Sequence, residues 1–375
     1  MIYLDNAATT RVRPEVRAAL EPFLDLEYGN ASSLHAAGRR ARRALEDARE
    51  RVAARLGGDP KEIVFTSGAT ESNALAIAGA AEALRSRGDH LVTSTIEHPS
   101  VLETVARLER QGWRVTRVPV NGDGLVDPGS VAAALTPKTV LVSIMTVNNE
   151  VGSLQPIAAI RKVARSVVLH TDAAQAVGKV PVDLRDVDLL TFSAHKLHGP
   201  KGVGGLWVRK GTPLAAQSVG GGQEFERRAG TENVAGIAGL AAALTLASPE
   251  EMDRVDGLRE KLRAGLEGLG GVRVWGSPDR RAPHVLNVSV EGVDSEAAIL
   301  ALDAAGVCVS SGSACASMSM KPSHVLQAMG VPAELSKCSI RFSLSALSTE
   351  EEIDGARSIV PGVLSRLRKI SPVTR

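Results

Sequence analysis

The chain has 375 residues, of which 44 are Lys or Arg, 42 are Asp or Glu and 8 are His, leaving a formal charge of +2. So even a balance argues against a dedicated nucleic-acid surface or an acidic tail, and the length suffices for two domains with large apolar interiors and no disulfide support. Three cysteines, Cys308, Cys315 and Cys338, are too few and too irregularly spaced for a disulfide framework or a zinc site, and they predict a reducing compartment.

Met1-Ile2-Tyr3-Leu4-Asp5 has no basic stretch leading into an apolar core, and the longest apolar run, residues 236–247, is too short to span a bilayer. The expectation is a soluble cytoplasmic protein with no membrane partner. Residues 2–4 read as a short strand. Arg39, Arg40, Arg42 and Arg43 share a helical pattern with Glu46 and Glu50 and read as a solvated face. Runs at 63–66, 90–95, 113–118, 139–145, 167–171, 189–193 and 205–208 read as buried strands, with helix-length segments at 71–85 and 100–111 between the early ones. This alternation predicts an α/β fold built on a mainly parallel seven-stranded sheet covered on both faces. Ligands in such folds lie beyond the carboxyl ends of the strands, and Thr70, Asn149, Asp172 and Lys196 all follow predicted strands. From about residue 248 the pattern changes to a charged helix at 249–266, a Gly270-Gly271 break, a strand at 285–290, a helix at 296–305 and strands at 307–309 and 339–343. The expected division is a large domain, 14–250, and a smaller α+β domain made of 1–13 with 251–375.

Several segments carry chemistry. Ser67-Gly68-Ala69-Thr70-Glu71 joins a strand to a helix, so N–H groups at the helix start and the Thr70 hydroxyl would face an anion, or would simply cap the helix. His98, in Ile96-Glu97-His98-Pro99, could stack on a flat ring and move a proton, or be an ordinary loop residue. His170-Thr171-Asp172-Ala173-Ala174-Gln175 is followed, 24 residues beyond Asp172, by Lys196 in Ser193-Ala194-His195-Lys196. A lysine that forms a Schiff base and an aspartate that holds a pyridinium nitrogen are the two protein groups that pyridoxal phosphate requires. On that reading Ser193 and His195 could donate to the phosphate, and Gln175 and Asn149 could contact the phenolic oxygen. The plainer role for Asp172 is a helix cap. Arg341 lies inside Ser339-Ile340-Arg341-Phe342-Ser343 and must find an anion, for which an α-carboxylate or a structural salt bridge would serve. Cys315 sits in a run of mostly small polar residues, 310–320, which packs a core poorly and reads as a mobile loop with a reactive thiol. Cys308 and Cys338, in or beside strands, read as thiols packed in or next to the core.

Together, Asp5-Asn6-Ala7-Ala8-Thr9-Thr10, Gly29-Asn30-Ala31-Ser32-Ser33-Leu34-His35, residues 66–73, Asn148-Asn149-Glu150, residues 170–175, residues 193–204, Arg228-Ala229-Gly230-Thr231 and residues 310–317 resemble the cysteine desulfurases of the nitrogen-fixation and iron-sulfur-cluster type. The resemblance runs through nearly the whole chain in the same order. It implies a fold-type I pyridoxal 5'-phosphate enzyme, acting as a homodimer, that converts L-cysteine to L-alanine. Lys196 would carry the cofactor and His98 would stack on its ring. Ala69, Thr70, Ser193 and His195 would hold its phosphate, with Thr231 reaching the phosphate of the partner subunit. Asp172 and Gln175 would lie on the ring, and Asn149 and Arg341 would hold the substrate carboxylate. Cys315 would attack the substrate sulfur and pass the resulting persulfide sulfur to an acceptor protein, an iron-sulfur scaffold or a sulfur carrier. No metal is implied.

Ala31 stands where the family usually has proline, and the chain stops at Arg375 without the extension by which iron-sulfur-cluster members dock a scaffold. A transaminase or a selenocysteine lyase would share the lysine and the phosphate cup. A thiol at Cys315 argues against the transaminase.

Overall fold

The computed structural model describes residues 1–311 and 322–370. After the short strand Ile2–Tyr3 (β1), seven strands build one sheet: Ile63–Thr66 (β2), His90–Ser94 (β3), Arg114–Val118 (β4), Thr139–Ser143 (β5), Val168–Asp172 (β6), Leu189–Ser193 (β7) and Gly204–Val208 (β8). Their order is β2-β8-β7-β6-β5-β3-β4. Only β8 runs against the other six strands, because two reversals return β2 to the direction of the parallel five. The carboxyl ends of six strands therefore share one edge, and the mainly parallel sheet is as expected.

Period-two alternation gives this sheet two buried faces. Ile63 and Phe65 of β2, Leu190 and Phe192 of β7 and Trp207 of β8 join one apolar cluster with the helices Ala36–Leu56 and Val234–Leu246. Val64, Leu189, Leu206 and Val208 face the other way, onto the helices Ala69–Ala83 and Pro99–Arg110. One expectation fails: β4 is not a buried strand. It lies at the sheet edge, where Arg114 and Arg117 pair with Asp89 and Glu109, and edge charges of this kind discourage pairing with another chain. The arginine-rich face of Ala36–Leu56 is exposed, as expected.

The later strands are Val272–Trp275 (β9), Val285–Val290 (β10), Val307–Cys308 (β11) and Ser339–Ser343 (β12). β9, β10 and β12 form an antiparallel sheet, and β1 pairs in parallel with β11. Leu4, Val288, Ile340 and Phe342 enter a separate apolar cluster with the helices Pro249–Glu267 and Glu350–Ile370. Because Ile340 and Phe342 point into that cluster, the alternation turns Arg341 to the opposite face, toward the large sheet.

Candidate active site

Strand register builds one end of the site. Gly204 at the start of β8 pairs with Thr66 on one side and Ser193 on the other, so the ends of β2 and β7 lie one strand apart. A Cβ at Gly204 would stand 2.7 Å from the Gly68 Cα and 2.7 Å from the Phe192 carbonyl oxygen, which explains the glycine at this crossing. Gly68, at φ 151°, turns the chain straight into the helix Ala69–Ala83. First-turn N–H groups have no partner within a helix, and they open here onto a cavity of about 660 Å³.

Ala69, Thr70, His98, Asn149, Asp172, Gln175, Ser193, His195, Lys196 and Arg341, all expected from the sequence, line that cavity. Among the described residues, the Ser193 hydroxyl is buried and has no hydrogen-bond partner. An orphaned buried polar group costs about 1–3 kcal/mol, which favours an anion bound beside it. Phosphate on the helix start and Ser193 meets that need, so the residues present fit pyridoxal 5'-phosphate.

Lys196 lies in a short 3₁₀ turn directly after β7, and its Nζ donates to the carbonyls of Ala7 (2.6 Å) and Ala8 (2.7 Å). Asp172 ends β6. Its Oδ1 accepts from the Ala174 N–H at 2.9 Å and its Oδ2 from Asn73 Nδ2 at 2.7 Å. It is not a helix cap: a turn, not a helix, follows β6. Gln175 donates through Nε2 to the Ala7 carbonyl at 2.9 Å, and its Oε1 accepts from Lys179 at 3.0 Å and lies 3.0 Å from His284 Nε2. His195 Nδ1 lies 3.2 Å from the Thr9 hydroxyl, and burial, reinforced by Lys196 and Lys179, pushes the ring down to about 4.

His98 caps the helix Pro99–Arg110 with its own side chain. Nδ1 accepts from the Ser100 N–H at 3.1 Å and lies 2.8 Å from the Ser100 hydroxyl. Burial holds His98 below the ordinary imidazole range, more strongly than the Asp172 charge raises it.

Opposite stands Arg341, which donates from Nη1 to the Asn149 carbonyl and from Nη2 to Asp5 Oδ1, both at 2.8 Å. The structural salt bridge foreseen from the sequence is thus formed, with the guanidinium still at the cavity wall. Arg341 also exchanges both backbone hydrogen bonds with Ser310, and the Ser323 hydroxyl donates to Glu150 Oε2 at 2.5 Å.

Thr231 is exposed and is absent from the lining of its own chain's cavity. Its loop is tied to the cup, since Arg228 donates to Glu71 at 2.8 Å and Glu71 accepts from the Ser67 N–H at 2.7 Å. Cys315 lies outside the described residues. Cys308 and Cys338 do not lie in the core: both are partly exposed, and burial remains the main reason their thiols are raised. Cys308 misses the interior because Val307 and Val309, on either side of it, take the face that enters the apolar cluster, and its Sγ lies 3.8 Å from Asp303.

Sequence reasoning missed Asn73, Lys179 and His284. Lys179 is partly buried, and burial is the main cause that holds it well below the usual ammonium range. A lysine seven residues beyond Asp172 and followed by Val180-Pro181 gave no periodic signal. Asn73 had one, being an amide amid the alanines of an otherwise small-residue helix. No group of three or more His, Cys, Asp and Glu among the described residues could hold a metal, and no helix there is long and apolar enough to cross a membrane.

Comparison with known proteins bears on this geometry. The aminotransferase class-V family pattern matches residues 2–355. The cysteine desulfurase IscS of Dictyoglomus turgidum is 46% identical, over 99% of this chain and 96% of its own length. A solved NifS-like protein superposes with a TM-score of 0.91 at 39% identity, covering 97% of this chain and 99% of its own. A second structure, SspA in complex with cysteine, gives 0.84 at 35% identity over 93% of this chain and 100% of its own.

Proposed function

We propose, from the premise that the chain belongs to the aminotransferase class-V family, that it is a cysteine desulfurase. It takes L-cysteine, releases L-alanine and retains the sulfur as a persulfide on Cys315. The atoms balance without an outside oxidant: cysteine and the enzyme thiol give alanine and the enzyme persulfide. The observation that carries this reading is the convergence of Lys196, Asp172, the orphaned Ser193 hydroxyl and Arg341 on one cavity at the carboxyl edge of the sheet.

When bound, pyridoxal 5'-phosphate supplies an electron sink for charge that develops on the substrate. Lys196 would hold it covalently, and Ala69, Thr70, Ser193 and His195 would hold its phosphate. Asp172, already oriented by Ala174 and Asn73, would keep a proton on the ring nitrogen. Gln175, its carbonyl fixed by Lys179, would keep its N–H end toward Ala7 and the phenolic oxygen. His98 would cover the ring and move a proton. Asn149 and Arg341 would orient the cysteine carboxylate.

Cys315 would act as the nucleophile once deprotonated. Ser310 is paired to the cavity residue Arg341, and the four peptide steps from Ser311 to Cys315 could reach at most about 14 Å. The chain would act as a homodimer, with the partner subunit's Thr231 at the phosphate, and the sulfur would pass to an iron-sulfur scaffold or sulfur-carrier protein.

The test is purified protein given cysteine without reductant. One alanine should form per active site, and mass spectrometry should find one added sulfur on the Cys315 peptide. Cys315→Ala should bind cysteine yet form no alanine. Sulfur on Cys308 or Cys338 instead would overturn the assignment.

A further inference from the structure

We infer that Asn73 is a positioning residue that, through Ser100, fixes which nitrogen of His98 carries the proton while it also holds Asp172. Asn73 is completely buried in the helix Ala69–Ala83, and its amide lies between the two other groups. The direction of each hydrogen bond follows from the one before. Asp172 Oδ2, 2.7 Å away, belongs to a carboxylate and accepts, so the amide atom facing it must be Nδ2. The second hydrogen of that Nδ2 points to the Ser100 hydroxyl at 2.9 Å. A hydroxyl that accepts there keeps its own proton for the atom on its other side, His98 Nδ1, at 2.8 Å. The Ser100 N–H donates to the same Nδ1 at 3.1 Å.

Two donors therefore meet at Nδ1, and the ring proton resides on Nε2. A second proton, on Nδ1, would face both donors and break the helix cap, so the network opposes a charged ring. Burial acts in the same sense, as do Lys196 and His324, while Asp172 opposes them. His98 consequently meets the cavity as a neutral imidazole whose Nε2–H can donate a hydrogen bond. The Asn73 Oδ1 has no hydrogen-bond partner among the described residues, so this amide is retained for its donor end. The inference rests on the proposed placement of His98 and Asp172 at the cofactor ring, but the hydrogen bonds themselves do not involve the cofactor.

The holoenzyme, labelled with ¹⁵N-histidine, tests it by NMR of the imidazole nitrogens, with the His98 signals assigned by their loss in His98→Gln. His98 should be neutral and protonated on Nε2 from pH 6 to 8. Ser100→Ala should move its titration up toward the ordinary imidazole range, while Ser100→Thr, which keeps the hydroxyl, should leave it in place. Asn73→Ala frees the Ser100 hydroxyl to accept, and the Nδ1-protonated form should gain about five- to tenfold. A parent enzyme with the proton on Nδ1, or with a charged His98 at pH 7, overturns the inference. So does a folded Ser100→Ala protein whose His98 titrates as the parent does, and this variant decides the matter if Asn73→Ala does not fold. Alanine formation is measured separately: a parent that makes none but shows the Nε2–H ring refutes the desulfurase reading and leaves the hydrogen-bond relay standing.

Discussion

The two walls of the cavity are made differently. On the Lys196 side, Asp172 and Ser193 project from neighbouring strand ends, and their spacing is set by the register of β6, β7 and β8. On the Arg341 side, the guanidinium from the small sheet is held by Asp5, 336 positions away, and by the Asn149 carbonyl, 192 positions away. The first wall follows from sheet pairing and stands once the large sheet forms. The second closes only when the start, middle and end of the chain have met. A wall fixed by sheet pairing facing a wall assembled from distant segments suits an enzyme that fixes one reactant and must admit another.

The largest expected effect lies on the first wall. In Lys196→Ala, desulfuration should fall by about a thousandfold or more, since a covalent attachment is lost. The native enzyme, trapped with borohydride and digested, should carry the pyridoxyl label on Lys196. Label on Lys201, which also lines the cavity, would show that the strand-end geometry had been assigned to the wrong amine.

That wall was also the more legible in the sequence. Short apolar runs located the strands to within two residues, and the strand-end rule then placed Thr70, Asp172 and Lys196 together. The exposed edge strand β4 was misjudged because the three apolar positions of the run 113–118, Trp113, Val115 and Val118, look the same whether one or both faces are covered. Arg341 could be read as needing an anion, but pairing it with Asp5 requires tertiary contacts that no local pattern encodes. Lys179 and His284 were invisible for the same reason: each is polar in sequence, and only packing shows that His284 is buried and Lys179 partly so. Thr231 illustrates the complementary limit. The motif around it pointed to a cofactor contact, yet within one chain it stands exposed at the surface.

A second effect probes the rigidity of the large sheet. His170, two residues before Asp172 on β6, is buried between the Ser143 hydroxyl at 2.8 Å and the Thr191 hydroxyl at 3.1 Å. Burial pushes its imidazole down to about 4 from 6.5, against a small opposing effect of Asp172. Above pH 6.5 the ring is neutral in both folded and unfolded chains. As pH falls from 6.5 to about 4 the unfolded chain takes up the proton first, so folding stability should fall, by roughly 3 kcal/mol in total. His195 and His198, also pushed down to about 4 by burial, act in the same sense. Urea melts across this range should show a shallower decline for His170→Gln, whose amide can still bridge two hydroxyls. Parallel pH dependence in parent and variant would show that this strand does not depend on a neutral His170.

The smallest effect belongs to Cys308 and Cys338 and sharpens the contrast between thiols. Cys308 and Cys338 are partly exposed, so truncating either to alanine leaves no closed cavity, and each variant should lose less than about 1 kcal/mol in denaturant melts. Neither is fitted for attack. Burial raises both thiols, Asp303 raises Cys308 further, and hydrogen bonds from the Val293 and Gly292 backbone only partly offset burial at Cys338. A thiol must lose its proton to become a nucleophile, and raised groups are mostly protonated at neutral pH. Cys308→Ala and Cys338→Ala should therefore retain most desulfuration at pH 7 to 8, measured as alanine formed from cysteine. A variant that folds as the parent does but loses that activity would place a second working thiol beyond the cavity, on β11 or at the start of β12, and the division between a structural small sheet and a chemical cavity would fail there.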